Sequence, residues 1–175
     1  MSERVLWVSG HRTDDAGRLR PRFPEERAGW VRERIARWFS QHDVGPSWTV
    51  LTGGARGADL IAAEEALRLG AHVQLCLALE PAEFLRRSVC DGPNSELWEQ
   101  SFAYVSSRAT VEVLPIRANG SSDSSVFAQA NSWMLAKLEA ADEPHALLVW
   151  DGAAGSEGGT GDAARTAYEI VRKKS

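Results

Sequence analysis

The sequence lacks long hydrophobic runs, and this absence limits the kinds of protein that it can describe. The apolar run at residues 5–8 follows Arg4 and is only about four residues long, which is too short for a signal peptide. No segment approaches the roughly twenty apolar residues that a membrane-spanning helix requires. We therefore expect a cytoplasmic protein with no membrane partner.

Cysteine is also scarce. The chain of 175 residues has two cysteines, Cys76 and Cys90, and their spacing matches no common metal-binding pattern. Cys76 lies in an apolar run, which predicts a small buried side chain. A cytoplasmic setting disfavours a disulfide between the two thiols. We therefore predict no metal site, and the sequence indicates no cofactor.

Positive charge is not in excess. Lys and Arg number 20 against 24 Asp and Glu, which gives a formal charge of −4. Proteins that bind duplex DNA usually present a basic surface, so this balance weighs against nucleic acid as a partner. It remains compatible with a local cationic pocket. The hydrophobic fraction of 43% is typical of a globular protein, and the length suits one domain with a substantial core.

Short apolar segments alternate with helical patterns along the whole chain. The predicted strands are residues 5–8, 48–51, 72–79, 111–114 and 145–150. The predicted helices begin at Pro24, Ala58, Pro81, Asn94, Ser125 and Ala163. This order is typical of an α/β fold, here a single Rossmann-like domain over residues 1–175 whose mainly parallel sheet is flanked by helices. Its ligand site is expected beyond the carboxyl ends of the strands, near the point where the strand order reverses.

Three loops with unusual chemistry follow predicted strands and should meet at one edge of the sheet. The first contains Ser9, Gly10, His11 and Arg12. The second contains Gly53, Gly54, Arg56, Gly57 and Asp59, and the third contains Asp151, Gly158, Gly159, Thr160 and Asp162. Glycines at the start of a helix expose free N–H groups beside the positive end of the helix dipole, where an anion can bind. The three loops together predict a pocket for a phosphate-bearing small molecule.

The charged residues of the first two loops each have a binding role and an ordinary one. His11 and Arg12 are candidates to contact phosphate or a base, and otherwise are solvated loop residues. A guanidinium suits bidentate contact with phosphate, so Arg56 is a candidate ligand contact, and otherwise pairs with Asp59 or Glu64. We expect Asp59 to orient groups near the helix start rather than to act as a catalyst.

The third loop leaves similar alternatives. Asp151 either binds a ribose hydroxyl or caps the loop. Gly158 and Gly159 have little packing value in a row, which favours close approach of their backbone to a ligand, and Thr160 is placed to donate its hydroxyl to phosphate. Asp162 is interpreted either as a helix N-cap or as a carboxylate facing a sugar.

The segment TGGARGADLIAAEEAL, residues 52–67, resembles the second-strand motif of the SLOG superfamily. That superfamily includes DprA-type DNA-processing proteins, the lonely-guy (LOG) phosphoribohydrolases and YspA/YpsA-like proteins, and the resemblance is closest to the YspA/YpsA-like branch. Three further segments fit in the expected order: the Ser-Gly-His-Arg loop at 9–12, Asn-Ser-Trp-Met-Leu at 131–135, and the final strand leading into Gly-Gly-Thr at 158–160.

The resemblance implies a Rossmann-like fold with a pocket for a nucleotide or a nucleotide-derived molecule. It implies ligand contacts at Arg56, Asp59, Asn131 and Thr160. The chain departs from the family pattern at two places. Ala130 stands where the family has an arginine, and Asp162-Ala163 stands where the phosphoribohydrolase branch has two glutamates.

These observations favour a protein that binds or senses a nucleotide-type ligand through its glycine-rich loops. The first alternative is a LOG-like hydrolase or ribosyltransferase that acts on the N-glycosidic bond, with Asp162 as its catalytic carboxylate. Such chemistry needs well-placed carboxylates, and the missing second acid weighs against it. The second alternative is DprA-like binding of single-stranded DNA. Assembly into a homo-oligomer, with Trp133 and Met134 as interface candidates, remains an open possibility.

Overall fold

Five parallel strands form the central sheet of the protein. The computed structural model describes residues 2–115, 123–153 and 160–174. The strands are β1 (Arg4–Gly10), β2 (Trp48–Thr52), β3 (His72–Leu77), β4 (Thr110–Val113) and β5 (Glu143–Val149). Their order in the sheet is β4-β3-β2-β1-β5, and all four pairings are parallel. The predicted α/β, Rossmann-like fold is therefore confirmed.

Six α-helices connect and flank the strands. They are α1 (Ala28–Gln41), α2 (Ala58–Arg68), α3 (Pro81–Phe84), α4 (Ser95–Ser106), α5 (Asp123–Ala140) and α6 (Thr160–Lys174). A 3₁₀ turn at Glu25–Arg27 precedes α1, and a π-helical turn at Leu85–Val89 extends α3. Among the helices of the described ranges, none is both long enough and apolar enough to cross a membrane.

Alternate side chains of β1 enter two separate hydrophobic cores. Leu6 and Val8 pack on the face that is covered by α1, α2 and α4. Val5 and Trp7 pack on the opposite face, under α5 and α6. Successive side chains of a strand point to opposite faces, so a continuous apolar run is the pattern expected of a strand buried on both sides. This double burial fixes the register of the sheet and thereby the position of its carboxyl edge.

Gly57 brings the loop after β1 into contact with the start of α2. A Cβ atom at Gly57 would lie 2.8 Å from the His11 carbonyl oxygen and 2.8 Å from the Thr13 nitrogen. The residue also has a φ of +95°, which favours glycine. The amide of Ala58 donates a hydrogen bond of 3.3 Å to the same His11 carbonyl. The absence of a side chain at Gly57 therefore makes room for the backbone of the loop after β1. The sequence had instead predicted that a ligand would approach this glycine.

We expect Gly57→Ala to lower the free energy of unfolding by about 2–4 kcal/mol, because the new methyl group meets backbone and the φ is strained. Gly29→Ala is the matched control. No atom within 4 Å opposes a Cβ atom at Gly29, and alanine is the better helix former by up to about 1 kcal/mol. Denaturant titration of both variants measures the difference. Equal stability of the two variants would contradict the close contact at Gly57.

Candidate functional site

A cavity of about 460 Å³ opens at the carboxyl ends of β1, β2 and β3. The first strand and its loop contribute Ser9, Gly10 and Arg12, and the glycine turn contributes Gly53, Ala55 and Asp59. The remaining lining residues are Cys76, Ala78, Phe84, Arg87, Ser88, Phe127, Ala130, Asn131, Met134 and Thr160. The carboxyl edge of the sheet is therefore the position of the candidate site, as the fold predicts.

Two arginines form a cationic wall on one side of the cavity. Nη1 of Arg12 donates to the carbonyl oxygen of Arg87 at 3.2 Å and to Oδ2 of Asp91 at 2.7 Å. Nη1 of Arg87 donates to Oε1 of Glu83 at 3.2 Å. The hydrogen bond between the two segments keeps the loop after β1 against the π-helical turn. This wall can present guanidinium groups to an anion.

Helix α5 forms the opposite, mainly apolar wall. Phe127, Ala130 and Met134 are spaced along one side of the helix at i, i+3 and i+7, and each lines the cavity. Asn131 adds a polar side chain to the same wall. Cys76 lies beside them at the end of β3, where burial raises the pKa of its thiol to about 12. The thiol is therefore neutral near pH 7 and adds to the apolar surface.

Asp59 lies in the first turn of α2 and lines the same cavity. Its Oδ1 is buried and has no hydrogen bond of good geometry among the described residues. The Thr52 hydroxyl, whose Oγ1 also has none, lies near enough to interact with this carboxyl. Oδ2 of Asp59 accepts a hydrogen bond of 3.4 Å from the amide of Ala55. Burial raises the pKa of the Asp59 carboxyl to about 7, although the amides of Ala55 and Gly54 and the Thr52 hydroxyl lower it in part. The cavity is thus lined by a carboxyl group of which one oxygen, Oδ1, has no donor of good geometry among the described residues.

The structure does not place the Arg56 side chain in the cavity. This side chain is fully buried beneath the loops. Its Nη2 donates to Oδ1 of Asp15 at 2.5 Å and to the Thr13 carbonyl at 3.1 Å, its Nε donates to the Thr13 hydroxyl, and its Nη1 pairs with Asp91. The guanidinium is occupied by protein groups, so the expected direct contact with a ligand phosphate is not supported. The predicted alternative partners, Asp59 and Glu64, are also wrong.

His11 and Asp151 form a separate cluster outside this cavity. Nε2 of His11 lies 3.1 Å from Oδ1 of Asp151 and 3.1 Å from Nη2 of Arg22. Nε of Arg22 lies 3.2 Å from Oδ2 of Asp151. Hydrogen bonds from the Ala153 amide, the His11 ring and the Arg22 guanidinium hold the pKa of Asp151 well below its usual range. Both residues line a neighbouring cleft beside Trp30, and Asp151 caps its own loop through Ala153.

The predicted ligand residues thus fall into four groups. Those that line the cavity are Ser9, Gly10, Arg12, Gly53, Asp59, Asn131 and Thr160. The second group serves packing and consists of Gly54, Arg56 and Gly57. The third lies in the neighbouring cleft and consists of His11 and Asp151. The fourth, Gly158 and Gly159, lies outside the described residues. Asp162 is in the first turn of α6, half-exposed, and accepts a hydrogen bond of 2.7 Å from Arg165. It does not cap the helix because α6 begins earlier, at Thr160, and it does not line the cavity.

Sequence reasoning missed the wall that contains Phe84, Arg87 and Ser88. The segment follows β3, so its position after a parallel strand was a usable signal, but it contains no glycine motif. Trp30, which lines the neighbouring cleft, lies outside the core. Trp30 is 54% exposed, and the guanidinium carbons of Arg27 and Arg34 lie 6.0 Å and 5.3 Å from its ring centroid.

Comparisons with known proteins leave this site without a precedent. No family model matches the chain, and no curated protein matches it. Among solved structures, the chain is similar to the Moco carrier protein from Chlamydomonas reinhardtii, with 17% identity and a TM-score of 0.31 over 98% of this chain and 99% of that chain. A likeness at that TM-score carries no argument about the function of this chain.

We expect Arg56→Ala to destabilise the fold by about 2–4 kcal/mol, because it leaves Asp15 and Asp91 without their buried cation. Arg165→Ala is the control, since Arg165 makes an ion pair of 2.7 Å on the surface with a side chain that is 82% exposed. Exposed pairs contribute about 0–1 kcal/mol. Denaturant unfolding compares the two variants, and a loss below about 1 kcal/mol for Arg56→Ala would contradict its role as a buried clamp.

We expect Asp59→Asn to stabilise the free protein at pH 8 by on the order of 2 kcal/mol, a rise of about 4–8 °C in melting temperature. The sign follows from the raised pKa. Below the pKa of the unfolded chain, near 4, both states are protonated and Asp59 causes no penalty. As the pH rises towards about 7, the unfolded state ionises first, so the folded state loses stability. A stabilisation equal at pH 4 and pH 8 would contradict this account.

Proposed function

We propose that this protein is a SLOG-type domain that binds or senses a nucleotide or a related phosphorylated small molecule in the cavity at the carboxyl edge. One observation carries the proposal. A single cavity joins a cationic wall, an apolar wall and a largely buried carboxyl group with one oxygen at which no aligned donor points among the described residues, and Arg12, Met134 and Asp59 respectively represent them. These surfaces are complementary to the phosphate, the base and the sugar of a nucleotide.

The dimensions of the cavity support a ligand of this size. A volume of about 460 Å³ lies within the usual range for small-molecule sites, which runs from about 300 to 1,000 Å³. Arg12 and Arg87 supply planar donors that match a phosphate group. Phe127 and Met134 offer apolar contact to a base, and Asn131 offers an amide for its polar edge.

Binding is favoured over hydrolysis of an N-glycosidic bond by the count of acids in the cavity. Among the described residues that line it, Asp59 is the only carboxylate. Glycoside hydrolysis through an oxocarbenium-like state generally uses two carboxyl groups about 5–10 Å apart. Asp162, the second acid that this alternative requires, pairs with Arg165 away from the cavity.

We expect nucleoside monophosphates to bind to the purified protein, as measured by calorimetry, and to raise its melting temperature, because a ligand that binds only the folded state stabilises it. Arg87→Gln should weaken binding by about tenfold, which corresponds to about 1.4 kcal/mol. Arg86→Gln is the adjacent control. Arg86 is 73% exposed, pairs with Glu83 at 3.8 Å and does not line the cavity, so its substitution should leave the affinity within about twofold.

Two results would count against the proposal. The absence of heat and of any thermal shift across purine and pyrimidine monophosphates would exclude nucleotide binding at this site. Equal effects of Arg86→Gln and Arg87→Gln would show that the cationic wall does not contact the ligand. Release of free base during incubation would instead favour the hydrolase alternative.

A further inference from the structure

We propose that Asp59 makes the cavity selective for ribonucleotides over deoxyribonucleotides by accepting a hydrogen bond from a sugar hydroxyl. This inference rests on the proposed function and names the ligand class of the same site. It begins from Oδ1 of Asp59, a buried oxygen at which no donor of good hydrogen-bond geometry points among the described residues, with the Thr52 hydroxyl as a nearby group that interacts with the carboxyl only in part. Buried polar atoms are nearly always satisfied in folded proteins, so a ligand that lines up with Asp59 should supply the missing donor.

The position of Asp59 selects the sugar as the source of that donor. The carboxyl lies in the first turn of α2 and lines the same cavity as Arg12 of the cationic wall and Met134 of the apolar wall. Its Oδ2 would lie 3.0 Å from a Cβ atom at Gly53, and the Met134 methyl would lie 3.7 Å from that same Cβ atom. In a nucleotide the sugar stands between the phosphate and the base. A phosphate on the arginines and a base against α5 therefore leave the sugar beside Asp59.

A carboxylate at such a position also discriminates strongly between ribose and deoxyribose. A deoxyribose that lacks the hydroxyl leaves a buried acceptor without a partner, and sites built to hydrogen-bond a hydroxyl reject the analogue that lacks it. A carboxylate is acceptor-only when ionised, so a sugar hydroxyl is a matched donor. An isosteric asparagine keeps the shape of Asp59 but replaces one acceptor oxygen with a donor NH₂ group.

The preference should also depend on pH, because only the ionised carboxyl is a pure acceptor. The other lining groups that carry a charge or a thiol are Arg12 from the loop after β1, Arg87 from the π-helical turn and Cys76 from β3. Burial raises the pKa of the Cys76 thiol to about 12, so the thiol is neutral between pH 6 and 8. Asp59 itself, with a pKa of about 7, changes charge in this range. A donated hydrogen bond favours the ionised form, so the preference for ribose should rise with pH.

The test compares each nucleoside monophosphate with its 2′-deoxy and 3′-deoxy forms by calorimetry at pH 6 and pH 8. For the unaltered protein at pH 8, we expect removal of one of the two hydroxyls to weaken binding by about tenfold or more. The ratio of ribose to deoxyribose affinity should fall by up to about tenfold at pH 6, because most of Asp59 is then protonated. Both sugars share one phosphate, so its own titration cancels in the ratio.

Asp59→Asn should reduce the ribose-to-deoxyribose ratio to about twofold or less at both pH values. Glu169→Gln is the matched control, since Glu169 pairs with Arg172 at 2.9 Å on the surface and does not line the cavity, so its substitution should preserve the ratio. Melting curves show whether each variant is folded, and Asp59→Asn is expected to melt higher than the unaltered protein.

The outcomes separate the two proposals. If no nucleotide binds to the unaltered protein, the proposed function fails. If nucleotides bind, but all three sugars bind within about twofold of each other, or the ratio persists in Asp59→Asn, the role of Asp59 is overturned while nucleotide binding stands. A ratio that is lost in Asp59→Asn and kept in Glu169→Gln supports the assignment.

Discussion

The candidate site depends on the buried Arg56 clamp. This side chain contacts Thr13 and Asp15 in the loop after β1 and Asp91 in the segment after the π-helical turn. Its own amide donates to the Ser88 carbonyl at 3.0 Å. Thr13, Asp15 and Asp91 lie outside the helices and strands. The Arg56 clamp therefore holds these two loops in place, as a strand or helix would otherwise do. The cationic wall is consequently a product of tertiary structure.

Asp91 connects this clamp to Arg12, which lines the cavity. One of its oxygens pairs with Arg56 and the other accepts a hydrogen bond of 2.7 Å from Arg12. The phosphate of the proposed ligand would therefore compete with an internal carboxylate for the Arg12 guanidinium. Such competition would lower the net gain from the contact, but Asp91 also keeps Arg12 oriented in the free protein. Asp59 shows the complementary arrangement, since no donor of good geometry points at its buried Oδ1 among the described residues.

The sequence predicted the fold well because burial on both faces leaves a plain signal. The run Val5, Leu6, Trp7 and Val8 predicts a doubly covered strand, and the structure fills both sides of β1. The site was harder to predict because one residue type serves two purposes. The glycine at 57 predicts ligand approach and close backbone packing equally well, and the structure assigns it to packing. A pattern in sequence cannot distinguish what fills the space beside a glycine.

The roles of some charged residues were also predicted wrongly, because a sequence does not show in which direction a side chain points. Arg56 follows a glycine turn, where a side chain directed outwards meets a ligand and one directed inwards meets the loops. The acids that direct it inwards, Asp15 and Asp91, are distant in sequence and lie in segments without periodicity. Asp59, three residues later, has its place set by the first turn of α2 and therefore lines the cavity as expected. Residues held by regular structure were predictable, whereas those held by long-range ion pairs were not. The glycine turn thus supplies one acid that lines the cavity and one structural cation, so a single motif both holds the surrounding loops together and contributes to the lining of the cavity.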